Sequence, residues 1–179
     1  MVVKSSRYHW VVRYAHWLTV LAIVLAYVLV DLGDDEGSEG NSPPSLMLQG
    51  HYLAGLAVLA LLLPRILARL TTPVPPIVPA PKTVIAFAAH GLHLALYAFL
   101  LVQPILGILQ VNYAGQLVSL PWVGWSLPAL VGSDHAAHEF VAEIHETLGE
   151  VFYWVIGAHI AAALWHHFLV RDNTLRRML

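Results

Sequence analysis

Two histidines spaced fourteen residues apart are the clearest chemical feature of this chain. His145 and His159 belong to one apolar run, and fourteen residues of α-helix bring the second side chain back to nearly the same face. The rise of the helix separates the two by about 21 Å along its axis. A helix that presents imidazoles in this way can hold two metal centres, one above the other.

The composition indicates where such a helix would lie. The chain has 179 residues, of which 58% are hydrophobic and 11% charged, whereas a soluble domain has about 25% charged residues. These values exclude a disordered chain, a nucleic-acid-binding protein and an ordinary soluble enzyme, and they are typical of a polytopic membrane protein. Cysteine is absent, which excludes disulfides, thiolate metal sites and a cysteine nucleophile.

Four apolar segments are long enough to cross a membrane, which takes about 20 mainly apolar residues. We therefore predict an all-α, integral membrane four-helix bundle that forms one domain over residues 1–179. The first span follows basic residues, as the core of a signal peptide does. It is longer than such a core and lacks a small-x-small cleavage site, so we expect it to be retained. The predicted spans cover residues 14–32, 51–70, 84–111 and 145–170.

The segments between the spans have the composition of connectors. Residues 31–50 are acidic and contain glycine, serine and proline, and the proline-rich run 73–81 should be extended polyproline II rather than helix. Residues 112–138 contain prolines and tryptophans. We interpret them as an interfacial loop that includes a short amphipathic helix lying flat on the membrane.

Charged residues divide between the two ends of the predicted bundle. With four spans, every basic residue lies on the side of the two termini, and every acidic residue except Asp172 lies on the other side. The positive-inside rule then predicts that both termini are cytoplasmic. The basic residues are Lys4, Arg7, Arg13, Arg65, Arg69, Lys82, Arg171, Arg176 and Arg177. The acidic residues of the outer side are Asp31, Asp34, Asp35, Glu36, Glu39, Asp134, Glu139, Glu143, Glu146 and Glu150.

This topology supplies a partner for each histidine of the fourth span. His16 begins the first span at the cytoplasmic depth of His159, and His51 begins the second span at the outer depth of His145. No cysteine or methionine lies at a suitable depth, and paired imidazoles suit haem iron that transfers electrons. Because both axial positions would be filled, oxygen activation at the iron is disfavoured. His90 and His93 lie at a similar depth to His16, and either could replace it.

Other residues near the predicted ligands fit two stacked haems. Arg65 lies at the depth of the inner pair, where its guanidinium could bind a haem propionate. Gly55 and Gly149 each lie close to a ligand of the outer pair and would let a porphyrin approach the helix. Phe152 lies midway between the two ligands of the fourth span, and therefore between the two predicted haems.

Several ordered motifs resemble the bacterial cytochrome b561 family of small four-helix di-haem b cytochromes. Each motif is weak alone, but their order and spacing together are specific, and they cover most of the chain. The motifs are Tyr14-Ala15-His16-Trp17, Arg65-x-x-x-Arg69, Thr72-Pro73-x-Pro75-Pro76, His90-x-x-His93-Leu94, His145-Glu146-Thr147-Leu148, Gly157-x-His159-x-Ala161-Ala162-Ala163-Leu164-x-His166-His167 and Asp172-Asn173-Thr174-Leu175.

The resemblance implies two haem b groups held by the four histidines, electron exchange with ubiquinone, and a place in the bacterial inner membrane. The family includes superoxide oxidases, which oxidise superoxide at the outer side and reduce ubiquinone. We therefore predict a superoxide:ubiquinone oxidoreductase. His166, His167, Arg13 and Arg171 lie near the cytoplasmic end, and they are our candidates for quinone and proton handling, although the two histidines could equally be interfacial polar residues.

The acidic outer loops favour a second hypothesis. A small anion is attracted by a positive surface, but the outer side here has no Lys or Arg. A cationic periplasmic redox protein would suit it better, so the chain could instead oxidise quinol and pass electrons outward as a relay or membrane anchor. A non-redox transporter would need carboxylates inside the spans, and almost all of them lie at the outer ends.

Overall fold

The computed structural model describes residues 6–33, 45–120 and 124–179. Within these ranges it contains four helices that are long and apolar enough to cross a membrane, which confirms the predicted all-α membrane bundle. Lys4, Asp34, Asp35, Glu36 and Glu39, which entered the charge argument, lie outside the described residues. The elements are α1 (Trp10–Gly33), α2 (Leu46–Thr71), α3 (Thr83–Tyr113), β1 (Ser119–Leu120), β2 (Trp125–Ser126) and α4 (His135–Trp165), followed by a π-helical segment (His166–Val170) and a 3-10 turn (Arg176–Met178).

Helix α4 begins ten residues earlier than the apolar pattern predicted, at His135 instead of His145. The Asp134 side chain caps it by accepting a hydrogen bond from the Ala137 backbone N–H at 3.0 Å. With its π-helical continuation the helix spans 36 residues, about 54 Å, while the hydrocarbon core is about 30 Å thick. The first turns of α4 therefore extend beyond the membrane. Because these turns contain polar residues, a search for apolar runs does not assign them to the span.

The connection between α3 and α4 also differs from the prediction. In place of a short amphipathic helix, its described residues form a two-stranded antiparallel ribbon in which Ser119 pairs with Ser126. Asn112, which is 2% exposed, holds the connection in place. Its side chain donates to the Gln116 carbonyl at 3.2 Å and accepts from the Leu130 N–H at 2.8 Å.

The helices pack as two antiparallel pairs. Helix α1 packs along α2, α3 packs along α4, and the pairs meet mainly where α2 contacts α3. A core at mid-depth joins Ala22, Val58, Leu62 and Leu100. In the described residues, the backbones of α1 and α4 make few close contacts, and the two helices meet mainly through their side chains. His16 of α1 and His159 of α4 lie in the space between the two helix pairs.

The amino- and carboxyl-terminal segments meet at one end of the bundle. The Tyr8 N–H donates to the Arg177 carbonyl at 3.0 Å, and the Arg177 guanidinium bonds to the Pro75 carbonyl in the proline-rich connector. The connector is non-helical between Thr72 and Lys82, as predicted. These contacts bring the two terminal segments and this connector together at one end of the bundle.

Large apolar side chains cover the outside of the helices. Phe87 and Trp154 are more than four-fifths exposed, and Leu70 is 78% exposed. Water would make so much exposed apolar surface unfavourable, whereas lipid satisfies it. The exposure pattern is therefore that of helices surrounded by a bilayer.

Candidate functional site: two histidine pairs between the helices

The outer pair joins α2 and α4. The ring centroids of His51 and His145 lie 6.2 Å apart, with the rings nearly perpendicular at 84°. The Nδ1–H of His51 donates to the Ala26 carbonyl at 2.8 Å, and that of His145 donates to the Gln103 carbonyl at 3.2 Å. Both rings are thus oriented by backbone acceptors, which leaves each Nε2 available for a metal.

A cavity of about 440 Å³ lies beside this pair, within the range of about 300–1,000 Å³ of ligand pockets. Gly55 and Gly149 line it, as do both histidines. A Cβ added to Gly55 would meet no atom within 4 Å, so this glycine faces open space. A Cβ on Gly149 would lie 3.5 Å from the Gln103 amide nitrogen, so that glycine also packs against α3.

Gly107 of α3 packs against the outer histidine pair. A Cβ at this position would lie 3.2 Å from Cε1 of His145, which is tighter than ordinary van der Waals contact. The absence of a side chain at this position of α3 therefore makes room for the imidazole, and Gly107 also lines the cavity. Together with the Gln103 carbonyl, Gly107 determines where the His145 ring lies.

The inner pair joins α1 and α4 and has a similar geometry. The ring centroids of His16 and His159 lie 6.4 Å apart at an interplanar angle of 79°. In contrast to the outer pair, Nδ1 of His16 is buried and has no hydrogen-bond partner among the described residues. The structure therefore brings together both pairs that the topology predicted, although ligation by them stays a prediction.

A third imidazole lies close to the inner pair. The ring centroid of His93 is 5.4 Å from that of His159, and its Nδ1–H donates to the Ala89 carbonyl at 2.5 Å. Two metal–imidazole bonds of about 2 Å each, with half the width of each ring, require about 6 Å between centroids. The spacing of His16 and His159 meets this requirement, and that of His93 and His159 is too short. His90 is exposed, as His93 is, and its Nδ1–H donates to the Ala86 carbonyl at 2.6 Å.

Arg65 adds a partly buried positive charge to the inner site. It lies close enough to interact electrostatically with His16, His93 and His159. Its guanidinium lies over the Tyr97 ring at 5.1 Å from the ring centre, and its Nε has no partner among the described residues. Because Nε–H can only donate, this position fits an acceptor such as a haem carboxylate.

An aromatic stack lies between the two pairs. Phe152 lies against Phe99 of α3 with ring centroids 4.0 Å apart and planes inclined by only 8°. Phe152 was predicted at mid-depth from its position between the two α4 histidines. Its partner Phe99 was missed, because the sequence does not show which apolar residue of α3 faces α4.

The four candidates for quinone and proton handling lie at the end of the bundle where the termini meet, and their surroundings differ. His166 hydrogen-bonds to Asp172. His167 and Arg13 each have a buried side-chain nitrogen without a partner, Nδ1 and Nε respectively. Arg171 is exposed and adopts a left-handed conformation with φ 59° at the end of the π-helical segment. His166, His167 and Arg13 thus remain suited to bind or protonate a ligand, while Arg171 reverses the chain.

Carboxylates surround the mouth of the outer cavity. Asp31, Glu146 and Glu150 are exposed and contribute to its lining. Tyr27 closes another part of the wall by donating its hydroxyl to the Gly149 carbonyl at 2.7 Å. Among the described residues, part of the negative charge predicted for the outer side therefore lies next to the outer histidine pair.

Comparison with known proteins gives consistent matches over nearly the whole chain. The family model described as prokaryotic cytochrome b561 matches residues 7–179. Cytochrome b561 homolog 1 of Escherichia coli is 34% identical over 93% of this chain and 93% of its own length. A Yersinia pestis protein named probable superoxide oxidase CybB is 34% identical over 92% and 90%, and cytochrome b561 homolog 2 of E. coli is 30% identical over 92% and 86%.

Proposed function

The chain belongs to the prokaryotic cytochrome b561 family of membrane electron-transfer proteins, and from that premise we propose that it oxidises superoxide at its outer end and reduces ubiquinone within the membrane. The observation that carries this proposal is the pair of histidine sites, with ring spacings of 6.2 Å and 6.4 Å at opposite depths. The relative named probable superoxide oxidase supports the choice of substrate.

The family implies b-type haem, and the residues present fit two such groups. His51 and His145 would hold one at the outer end, beside the cavity that Gly55 and Gly149 line. His16 and His159 would hold the other, with Arg65 available to a propionate. When bound, b haem supplies one-electron chemistry at its iron. The protein's part is to orient the imidazoles and to exclude other ligands from the metal.

We place the basic end of the bundle in the cytoplasm and the acidic end outside, in a bacterial inner membrane. The contact between Tyr8 and Arg177 supports termini on one side, and the positive-inside rule supports their cytoplasmic location. The reaction then balances as two superoxide anions, one ubiquinone and two protons giving two oxygen molecules and one ubiquinol. Each superoxide supplies one electron, so two must react for each quinone.

Unpartnered donors at the inner end support a quinone or carboxylate ligand there. Arg13 Nε and Arg65 Nε are both buried without an acceptor among the described residues. Burying a donor without a partner costs about 1–3 kcal/mol, and the carbonyl oxygens of a quinone or the carboxylates of haem would remove that cost. Under this proposal, His166 and His167 supply protons to the quinone.

The acidic mouth of the outer cavity favours a second candidate function. Asp31, Glu146 and Glu150 would repel superoxide at long range, but they would attract a basic soluble redox protein. In this alternative the chain oxidises quinol and passes electrons outward to a cationic periplasmic partner. Its association would weaken steeply with salt.

Stopped-flow absorption spectroscopy tests the two directions. Purified oxidised protein containing haem is mixed with a superoxide pulse, and reduction is followed at the haem bands. Rapid reduction, followed by reoxidation when ubiquinone is added, would support superoxide oxidation. If superoxide does not reduce the haem but quinol does, the result would favour the outward relay. A purified protein without haem bands would contradict both functions.

A matched pair of variants links the reaction to the outer site. His145→Ala removes one of the proposed outer ligands, whereas His135→Ala changes an exposed histidine in the first turn of the same helix. We expect His145→Ala to abolish the fast reduction by superoxide and His135→Ala to retain it. Equal rates in the two variants would argue against entry of electrons at the outer pair.

A further inference from the structure

The end of α4 carries a polar pair that the proposed electron path does not use. At His166 the helix widens into the π-helical segment, and Arg171 then turns the chain back with φ 59°. This reversal brings Asp172 against the helix end, where its Oδ2 accepts a hydrogen bond from His166 Nδ1 at 2.6 Å. Its Oδ1 accepts from the Thr174 backbone N–H at 2.8 Å.

The carboxylate in this pair is enclosed and remains ionised. The side chain of Asp172 is 1% exposed and that of His166 is 21% exposed. Burial alone would raise the pKa of Asp172, but the hydrogen bonds from His166 and Thr174 outweigh it and lower that pKa below its usual value. A carboxylate in this state is an acceptor only, so the bonded nitrogen of His166 must carry a proton.

The position of His166 relates it to the inner site. It lies seven residues after His159, which places it on nearly the same face of α4 and about 10 Å nearer the end of the bundle. Because Nδ1 is bonded to Asp172, Nε2 is the nitrogen left to exchange a proton with a ligand or with water. His166 is the member of the pair that reaches solvent, with 21% of its side chain exposed, whereas the side chain of Asp172 is 1% exposed.

We propose that Asp172 is a positioning residue that holds His166 in the tautomer and orientation from which Nε2 delivers protons to the quinone. The proposal rests on the quinone-reducing half of the proposed function and deepens it. An imidazolium at His166 would be paired with a carboxylate, so the two together carry no net charge when a proton is held. This reduces the cost of holding a proton at the membrane boundary.

The proton balance follows from the chemistry of the substrate. A quinone that gains two electrons must gain two protons, one on each carbonyl oxygen, to become quinol. His166 gives the Nε2 proton to one oxygen, becomes neutral, and regains a proton from water at the same end of the bundle before the second transfer. Asp172 stays ionised throughout and keeps the Nδ1–H bond.

The hydrogen bond between His166 and Asp172 could instead serve only to stabilise the turn at Arg171. The experiment must separate this structural role from the positioning of His166 for proton transfer. We would reduce the purified haem-containing protein anaerobically with dithionite, remove the excess, and mix it with a short-chain ubiquinone. Reoxidation is then followed at the haem bands. This half-reaction needs protons but no superoxide, so it tests Asp172 whatever the natural electron donor is.

Asp172→Asn should slow reoxidation by quinone about 10-fold to 100-fold, since positioned proton transfer contributes about 10²–10⁴-fold in rate. The haem spectrum and the rate of reduction by superoxide should remain those of the parent. Asp134→Asn is the matched control, because Asp134 caps the other end of α4 through the Ala137 N–H. It should leave reoxidation within about twofold, as expected for a cap that affects only stability.

A double-mutant cycle identifies the route through His166. His166→Gln should slow reoxidation as much as Asp172→Asn, and the double variant should be no slower than the slower single variant, because both changes disable one proton donor. Effects that multiply would overturn the proposal. If Asp172→Asn loses its haem bands, the test rests on His166→Gln alone. A rate of reoxidation by quinone equal to that of the parent in His166→Gln would then overturn the proposal.

The outcomes also distinguish this inference from the proposed function. A parent protein that quinone reoxidises, with both variants reoxidised at the same rate, would overturn the role of Asp172 and leave quinone reduction standing. A parent protein that quinone does not reoxidise would overturn both.

Discussion

The outer and inner histidine pairs have nearly the same ring spacing but very different surroundings. At the outer pair, His51 and His145 both donate Nδ1–H to backbone carbonyls. At the inner pair, Nδ1 of His16 has no partner in the described part of the chain. Carboxylates line the outer cavity, whereas the partly buried guanidinium of Arg65 interacts with the inner imidazoles.

This contrast indicates that the two ends are organised for different tasks. Backbone carbonyls orient both imidazoles of the outer pair, so under the proposed function this site would exchange electrons without rearrangement of its ligands. At the inner site, hydrogen-bond donors such as Arg65 Nε have no acceptor among the described residues. A bound ligand would have to supply that acceptor. The charges near the two sites should shift their reduction potentials in opposite directions. Arg65 disfavours the more positive oxidised state of a metal at the inner site, whereas the carboxylates favour that state at the outer site. We expect electrons to move downhill from the outer site to the inner one.

The largest expected effect comes from removing one ligand at a time. His16→Ala should remove the inner haem and about half of the haem absorption, because each bis-imidazole site needs both ligands. His93→Ala is the matched control, since its 5.4 Å spacing to His159 is too short for an intervening iron. Haem content measured by pyridine haemochrome spectra, relative to protein, checks both. Loss of haem in His93→Ala with full haem in His16→Ala would reverse our assignment.

The next effect concerns the charge difference between the sites. Arg65→Gln should lower the midpoint potential of the inner haem, because the cation no longer disfavours the oxidised form. At an effective dielectric constant of about 20, a charge at about 8–16 Å contributes on the order of 1–2 kcal/mol. That corresponds to about 45–90 mV for one electron. A spectropotentiometric titration measures it, with the outer potential as an internal reference.

Arg176→Gln provides the control for this titration, because Arg176 is an exposed basic residue at the same end of the bundle. It should leave both potentials nearly unchanged, since solvent screens its charge. A parental inner potential in Arg65→Gln would show that the charge of Arg65 does not set the direction of electron transfer.

A smaller effect should follow from crowding the outer ligand. The Cβ of Gly107→Ala would lie 3.2 Å from Cε1 of His145, so the ring must shift from the position that the Gln103 carbonyl favours. Overpacking of this kind costs about 1 kcal/mol or somewhat more. We expect a changed outer haem spectrum and weaker haem retention on titration with apomyoglobin. Gly132→Ala, where a Cβ meets nothing within 4 Å, should behave as the parent, and a Gly107→Ala spectrum identical to the parent's would contradict close packing on His145.

The smallest effect should come from the exposed acidic residues. Glu146→Gln combined with Glu150→Gln removes two charges from the outer cavity, and this should raise the rate of reduction by superoxide about two- to threefold at low salt. The gain should disappear at about 0.5 M salt, where charges on the surface are screened. The same variant should slow electron transfer to a basic cytochrome if the outward relay operates. An effect that persists at high salt would point to local structure instead of long-range charge.

The four helices and the pairing of their histidines followed from short-range rules. Apolar length predicted the spans, and helical periodicity placed His145 and His159 at different depths. The alternation of spans then matched them with His51 and His16. The early start of α4 at His135 was missed, because its first turns lie outside the membrane and carry polar residues that no hydropathy argument assigns to a span.

The supporting contacts could not be predicted in the same way. Gln103 and Gly107 orient His145 from a different helix, and Phe99 stacks on Phe152 across the bundle. Each contact depends on how α3 is rotated about its own axis. Because α3 is apolar on nearly every side, its sequence does not mark the face that packs against α4.

The sequence by itself determined the membrane fold, the separation of charge and the depth of each candidate ligand, because these depend on composition, length and helical rise. Only the tertiary structure gave the ring spacings on which the choice of His16 over His93 as the partner of His159 rests, 6.4 Å and 5.4 Å respectively. It alone brought Asp172 against His166, since that contact requires the π-helical widening and the left-handed Arg171 to reverse the chain. Local periodicity cannot specify how a chain closes on itself at the end of a helix.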